Sequence, residues 1–150
     1  MNNLLSIHFS GETLATLSFG LSLLLSLTTY ILDRHKVNYL QTGIIFLSGL
    51  TGFLHLGIGL GGDLLLLLNG LGFIGLGVLL AVPISLLSAK RKPILWVLFF
   101  YTAITFVGYF ATHTFGLYSS LALLTKAVEG ILMIVIVLQV RQLNIVEQTT

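Results

Sequence analysis

Two ionisable side chains, Lys126 and Glu129, lie inside a long apolar stretch near the end of the chain. A charge at the centre of a bilayer costs about 2.5–3.5 kcal/mol on insertion scales, so such residues usually face a bundle interior or a polar cavity. Their i, i+3 spacing places them on one helix face, together with Ser119, Ala122 and Met133. Three interpretations stay open: an internal ion pair that fixes the helix in register, a pathway for a proton, ion or substrate, and a contact with a partner subunit.

Two histidines, His55 and His113, fall on different predicted helices in the same half of the bundle. Histidine is a common axial ligand, so the pair would be the place for a haem b or a chlorophyll-type pigment. A histidine that is hydrogen-bonded to a backbone carbonyl or to Glu129 is the alternative. We favour this alternative because His113 lies at the boundary of its helix, and we therefore predict no bound cofactor.

A polar cavity is indicated on one side of the bundle. Asp63 immediately precedes the apolar run at residues 64–68, which makes it a candidate helix N-cap. Asn69, about two turns deeper, is a candidate for hydrogen bonding between helices. These residues map between the middle of the membrane and its outer boundary. The complete candidate polar site is His55, Asp63, Asn69, His113, Lys126 and Glu129.

The sequence lacks the signals of other chemistry. It contains no cysteine, so disulfides, thiolate metal sites and iron–sulfur clusters are excluded. It has no HExxH motif, nucleophile elbow, P-loop or paired metal-binding carboxylates. The longest basic run, residues 90–92, has no interleaved aromatic residues, which argues against nucleic-acid binding. We therefore expect a protein that is not an enzyme, holds no metal and binds no nucleic acid.

The elements that position these residues follow from composition. Only 8% of the 150 residues are charged and the mean hydropathy is +1.04, whereas soluble domains have about 25% charged residues. The chain cannot cover a water-facing surface, so we expect it to lie in a lipid bilayer. A helix needs about 20 apolar residues to cross the hydrocarbon core. Five stretches have this length, at residues 13–32, 39–60, 64–87, 94–112 and 117–140.

Basic residues orient the predicted helices. Segments with Lys or Arg connect the first helix to the second and the third to the fourth, or follow the fifth, while the opposite connections have none. The positive-inside rule then places the N-terminus outside and the C-terminus in the cytoplasm. The first stretch exceeds a signal peptide's apolar region and is expected to be retained. The expected fold is all-α: one domain, 1–150, forming an up-and-down bundle of five transmembrane helices as a multi-pass protein of the cell membrane.

Small residues predict where the helices touch, because close packing drives helix association in lipid. Ser18, Ser22 and Ser26 are four apart and should face a neighbouring helix. The glycine-rich segment at residues 57–62 predicts a tight hairpin, or else a turn that unwinds to bind a ligand. Pro83 should bend the third helix. The glycines expected between the second and third helices are Gly49, Gly52, Gly72 and Gly75.

Three motifs carry a resemblance to a known group. The segment from His55-Leu-Gly to Asn69-Gly-Leu-Gly-Phe73, followed by Lys126-x-x-Glu129, resembles small multi-spanning membrane proteins of unknown function from prokaryotes, notably salt-loving archaea of the haloarchaeal type. The resemblance covers about residues 43–140. In those proteins an acidic residue often precedes the lysine, where this chain has Thr125. The resemblance implies an integral membrane protein and no particular activity.

We expect a small polytopic protein that acts as a non-enzymatic accessory or assembly subunit. Its partners would be the lipid bilayer and either other membrane proteins or copies of itself. The alternative is a small carrier or channel with an outward polar cavity around His55, Lys126 and Glu129. A second alternative is a membrane subunit that binds a haem or pigment through His55 and His113.

Overall fold

The computed structural model describes residues 10–32, 38–82, 90–112 and 119–149. Over these ranges every regular element is an α-helix. The helices are α1 (Gly11–Leu32), α2 (Tyr39–Gly59), α3 (Leu64–Ala81), α4 (Arg91–Thr112) and α5 (Ser120–Thr149). Each contains a stretch that is long and apolar enough to cross a membrane. This confirms the prediction of an all-helical chain with five helices of membrane-spanning length.

Two helix ends differ most from the sequence prediction. The third helix ends at Ala81, and Val82 is extended with φ −74° and ψ 124°, because a residue before proline is driven out of the α region. Pro83, which was predicted to bend the third helix, lies outside the described residues. The fifth helix continues to Thr149, well past residue 140, since no glycine or proline follows Gly130.

The second helix is the centre of the bundle. It packs against α1, α3 and α5, while α4 packs against α5 and, more loosely, against α3. Helices α2 to α5 thus form a ring, and α1 lies on the outer side of α2. The buried core includes Ile45 of α2, Phe73 of α3, Leu98 of α4 and Leu132 of α5.

Backbone contact holds α2 and α3 together as a tight hairpin. A Cβ atom added to Gly70 would lie 2.7 Å from the carbonyl oxygen of Gly52 and 2.7 Å from the backbone nitrogen of Leu56. A Cβ atom added to Gly59 would lie 2.6 Å from the backbone nitrogen of Leu67. The backbones approach too closely for any side chain at these positions, as is typical of helix pairs with small residues at their interface.

The glycines predicted for this contact fall on several helix faces. Gly52 does lie between α2 and α3, where its Cβ would be 2.6 Å from Ile74. Gly49 instead faces α1, Gly72 faces α4, and a Cβ on Gly75 would meet nothing within 4 Å. The prediction was therefore right for Gly52 and wrong for the other three, because glycine content alone does not say which neighbour a helix face meets.

The serine stripe of α1 packs against α2 as predicted. Ser18, Ser22 and Ser26 are all buried, and a Cβ on Gly49 would lie 3.3 Å from the Oγ of Ser22. The Ser22 hydroxyl donates to the carbonyl oxygen of Ser18 at 2.6 Å, which satisfies it inside its own helix. Small, internally satisfied side chains let α1 lie close to the central helix.

Asp63 is the N-cap of α3, as its position in the sequence predicted. Its Oδ1 accepts hydrogen bonds from the backbone nitrogens of Leu65 at 3.0 Å and Leu66 at 3.1 Å. We expect Asp63→Ala to lower the free energy of unfolding by about 1 kcal/mol, because two helix N–H groups lose their acceptor. Asp63→Asn, which keeps an acceptor oxygen, should retain most of the stability. Thermal unfolding in detergent measures both, and an alanine variant as stable as the wild type would contradict the role of the cap.

Candidate functional site

Lys126 and Glu129 form an ion pair inside the bundle. The Lys126 Nζ donates to Glu129 Oε1 at 2.8 Å and to Oε2 at 2.7 Å. Glu129 is completely buried and Lys126 is 6% exposed. The ammonium also donates to the carbonyl oxygen of Thr105 at 3.3 Å and lies 5.1 Å from the centre of the Tyr109 ring. The lysine is therefore held by a carboxylate, a backbone carbonyl and an aromatic face.

His55 on the central helix α2 lies next to this ion pair. Its Nδ1 lies 2.8 Å from the carbonyl oxygen of Thr51, and since a carbonyl only accepts, that nitrogen carries the proton. Its Nε2 lies 3.5 Å from Glu129 Oε1, and its ring stacks on Phe73 with centroids 5.7 Å apart. Both ring nitrogens thus face protein oxygen atoms. The Nε2 atom, which would be the ligand to a haem or a pigment, is directed toward Glu129.

The fourth helix supplies polar groups that the sequence analysis did not identify. The Tyr101 hydroxyl donates to the carbonyl oxygen of Asn69 at 3.2 Å, and its ring packs edge-on against Phe73 at 5.0 Å. Tyr101, Thr105 and Tyr109 are four residues apart and therefore share one face of α4. This spacing was visible in the sequence, but it was hidden by the strongly apolar composition of the helix.

A cavity of about 750 Å³ lies between α2, α3, α4 and α5. It extends from the ends of the helices, near Asp63, Thr112 and Ser119, to His55 and Lys126 inside the bundle. The loose packing between α3 and α4 leaves room for it. Its apolar walls include Ile58, Leu65, Leu66, Leu68, Ile104 and Leu121. Such a lining, with a few convergent polar groups, is typical of small-molecule sites.

The structure brings five of the six predicted polar residues to one place. His55 and Lys126 both contact Glu129 directly. Asp63 and Asn69 line the cavity that leads to them. His113 lies outside the described residues, as does any site that would combine it with His55. Glu129 is not part of the described lining and lies behind Lys126.

Within the described ranges, no group of three or more His, Asp or Glu side chains is placed to hold a metal ion. Comparison of the chain with models of protein families, with curated proteins and with solved structures finds no match in any of the three. The resemblance to haloarchaeal-type membrane proteins therefore stays a prediction.

Proposed function

We propose that this protein is a small carrier of the cell membrane that binds a solute at Lys126, Glu129 and His55. The observation that carries the proposal is the cavity of about 750 Å³ that ends at His55 and Lys126. An ion pair that served only to fix helix register would need no open space beside it. Here the lysine instead lines an open space, together with hydroxyl and amide side chains.

The distribution of basic residues supports an outward-facing cavity. The cavity opens beside Asp63 and Thr112, at the end of the bundle opposite Lys90 and Arg141. By the positive-inside rule the basic end is cytoplasmic, so the cavity faces the outside. The contacts of Gly52 with Gly70 and of Gly59 with Leu67 support an antiparallel, up-and-down order of spans. The N-terminus would then lie outside and the C-terminus in the cytoplasm of a multi-pass protein.

A closed inner half favours a carrier over an open channel. On the cytoplasmic side of the ion pair, Ile44 and Ile45 pack with Leu132 and Ile136, and all four are fully buried. A solute in the cavity would meet this apolar core and could pass only after the helices rearrange. Alternating access of this kind, around a site near the midplane, is how secondary transporters work.

An accessory or assembly subunit is the second candidate function. The observation that favours it is the exposed backbone at Gly20 of α1 and Gly75 of α3, where an added Cβ would meet nothing within 4 Å. Glycines on outer helix faces let a neighbouring membrane helix approach closely. Partners would then be other membrane proteins or copies of this chain, and the protein would carry no solute by itself.

Flux through the purified protein tests the carrier proposal. The protein would be reconstituted into liposomes, and the uptake of labelled acetate, hexanoate, phosphate, sodium and amino acids compared with that of empty liposomes. We expect uptake of at least one probe, and a loss of roughly tenfold or more in Lys126→Ala and Glu129→Gln, because each leaves a buried charge without its partner. The uptake by each variant would be measured on its folded, monodisperse fraction, so that a loss of flux does not come from misfolded protein.

Matched controls come from charged residues outside the site. Lys90→Ala and Glu12→Gln remove the same charges from exposed positions, and we expect both to transport at the wild-type rate. Equal flux in the site variants and the controls would overturn the carrier proposal. Absence of flux from the wild-type protein would also overturn it and would favour the accessory subunit.

A further inference from the structure

The charged groups near the cavity differ in how accessible they are to a solute. Lys126 stands at the inner end of the cavity, whereas its partner Glu129 is completely buried behind it. At the outer end Asp63 is engaged by the backbone N–H groups of α3, which offset its negative charge. A solute that reaches the inner end therefore meets an ammonium group, hydroxyl groups and apolar walls. That surface fits an anionic head group attached to an apolar chain.

Binding of an anion at Lys126 changes the balance of charge around Glu129. In the empty site the lysine and the carboxylate neutralise each other at 2.7 Å. When the ammonium turns to a ligand anion, the carboxylate is left in the interior with a weakened partner, and such a charge is costly at this depth. The cost is removed if a proton arrives at the same time.

His55 is positioned to take that proton. Its Nδ1 is already committed to the carbonyl oxygen of Thr51 at 2.8 Å, so the basic nitrogen is Nε2, 3.5 Å from Glu129 Oε1. A proton on Nε2 turns the ring into a cation that donates to the carboxylate. The titratable groups around His55 are Glu129 and Lys126 on α5, Tyr101 and Tyr109 on α4 and Asp63 on α3, while the acid of α1, Glu12, is exposed.

We propose that the site binds the carboxylate of an organic acid with an apolar chain, together with one proton that is taken up by His55. This rests on the proposed carrier function and names its substrate class. After binding, the ligand carboxylate pairs with Lys126 and the protonated His55 pairs with Glu129. The anion brings one negative charge and the proton one positive charge, so the net charge of the site is unchanged. No covalent bond of the ligand is broken, and the proton comes from the surrounding solvent.

Calorimetric titration of the purified protein with hexanoate tests the proposal. The titration would be repeated in two buffers with different ionisation enthalpies, since the difference in heat gives the number of protons taken up per ligand. We expect binding with uptake of about one proton, and no binding of hexanamide or hexylammonium, which have the same chain without the negative charge. Equal binding of all three compounds would overturn the proposal, because micelle or wall contacts alone would then explain the heat.

Two variants separate the roles of the cation and the proton acceptor. Lys126→Met keeps the length of the side chain and should weaken hexanoate binding by at least about tenfold. His55→Gln cannot take a proton, so we expect weaker binding without proton uptake. Wild-type affinity in Lys126→Met, or uptake of one proton by His55→Gln, would overturn the proposal.

The binding and flux experiments together distinguish a failure of the proposed substrate class from a failure of the carrier function. Flux of another solute through liposomes without any binding of hexanoate would overturn the substrate class and leave the carrier in place. Binding of hexanoate with one proton, but without flux of any probe, would support the site and overturn the carrier.

Discussion

Glu129→Gln is expected to destabilise the protein by about 3–5 kcal/mol, because it leaves the ammonium of Lys126 in the bundle interior without its carboxylate. Both oxygens of Glu129 accept from that ammonium, at 2.8 and 2.7 Å, and the carboxylate is completely buried. The amide that replaces it keeps one acceptor oxygen but carries no charge. Unfolding in mixed micelles of a mild detergent and dodecyl sulfate measures the loss.

Removing both charges together should have a much smaller effect on stability. The double variant Lys126→Met, Glu129→Leu leaves no unpaired charge, and apolar replacements of a buried ion pair are often neutral or stabilising. We therefore expect it to recover most of the stability lost in Glu129→Gln. Flux should nevertheless remain absent, since the groups that bind the solute are gone.

The single and double variants together show whether the Lys126–Glu129 ion pair has a structural or a functional role. A double variant that is stable and still transports would show that the pair serves only to hold the helices. A cost below about 1 kcal/mol for Glu129→Gln would show that the lysine is solvated through the cavity, as in exposed pairs. A double variant as unstable as the single one would contradict the expected compensation.

Gly70→Ala is expected to cost about 1–3 kcal/mol, because overpacking a tight interface forces its backbone to shift. The new Cβ would lie 2.7 Å from both the carbonyl oxygen of Gly52 and the backbone nitrogen of Leu56. Neither atom belongs to a side chain that could rotate away. The same unfolding assay measures the effect, and the helical hairpin of α2 and α3 is the part of the fold that should weaken.

Gly75→Ala is the matched control on the same helix. A Cβ at this position would meet nothing within 4 Å, so no contact opposes it. We expect it to leave stability unchanged or raise it by about 0.5–1 kcal/mol, the usual gain when alanine replaces glycine inside a helix. If both substitutions changed the free energy of unfolding by the same amount in the same direction, this would contradict the close approach of the α2 and α3 backbones.

Local properties of this chain could be predicted from its sequence. The existence of the five helices follows from the length of apolar stretches, and the shared face of Lys126 and Glu129 follows from their spacing of three. The cap at Asp63 is equally local, since an N-cap needs only the residues that follow it. Each of these features is decided within a few turns of one helix.

Contacts between helices could be predicted only in part. The sequence analysis expected a histidine to contact a backbone carbonyl or Glu129, but it did not show that His55 would make both contacts, through Nδ1 and Nε2. Gly70 was missed because its importance comes from the backbone of Gly52 on another helix. Tyr101 was missed because an aromatic residue on an apolar helix looks the same whether it faces lipid or a cavity. Each of these contacts depends on which two helix surfaces meet, and the sequence of a single segment does not show this.

The central position of α2 has a consequence for how the chain enters a membrane. Among the five helices, α2 has the lowest mean hydropathy of its most apolar window, while α3 has the highest. The helix with the most neighbours is thus the one with the weakest partition into lipid on its own. Its buried Gln41 donates to the carbonyl oxygen of Leu80 on α3 at 2.8 Å, so the two share polar as well as backbone contacts. In the proposed membrane fold we therefore expect the two helices to insert as a pair, with α3 drawing α2 into the bilayer as α3 emerges from the ribosome.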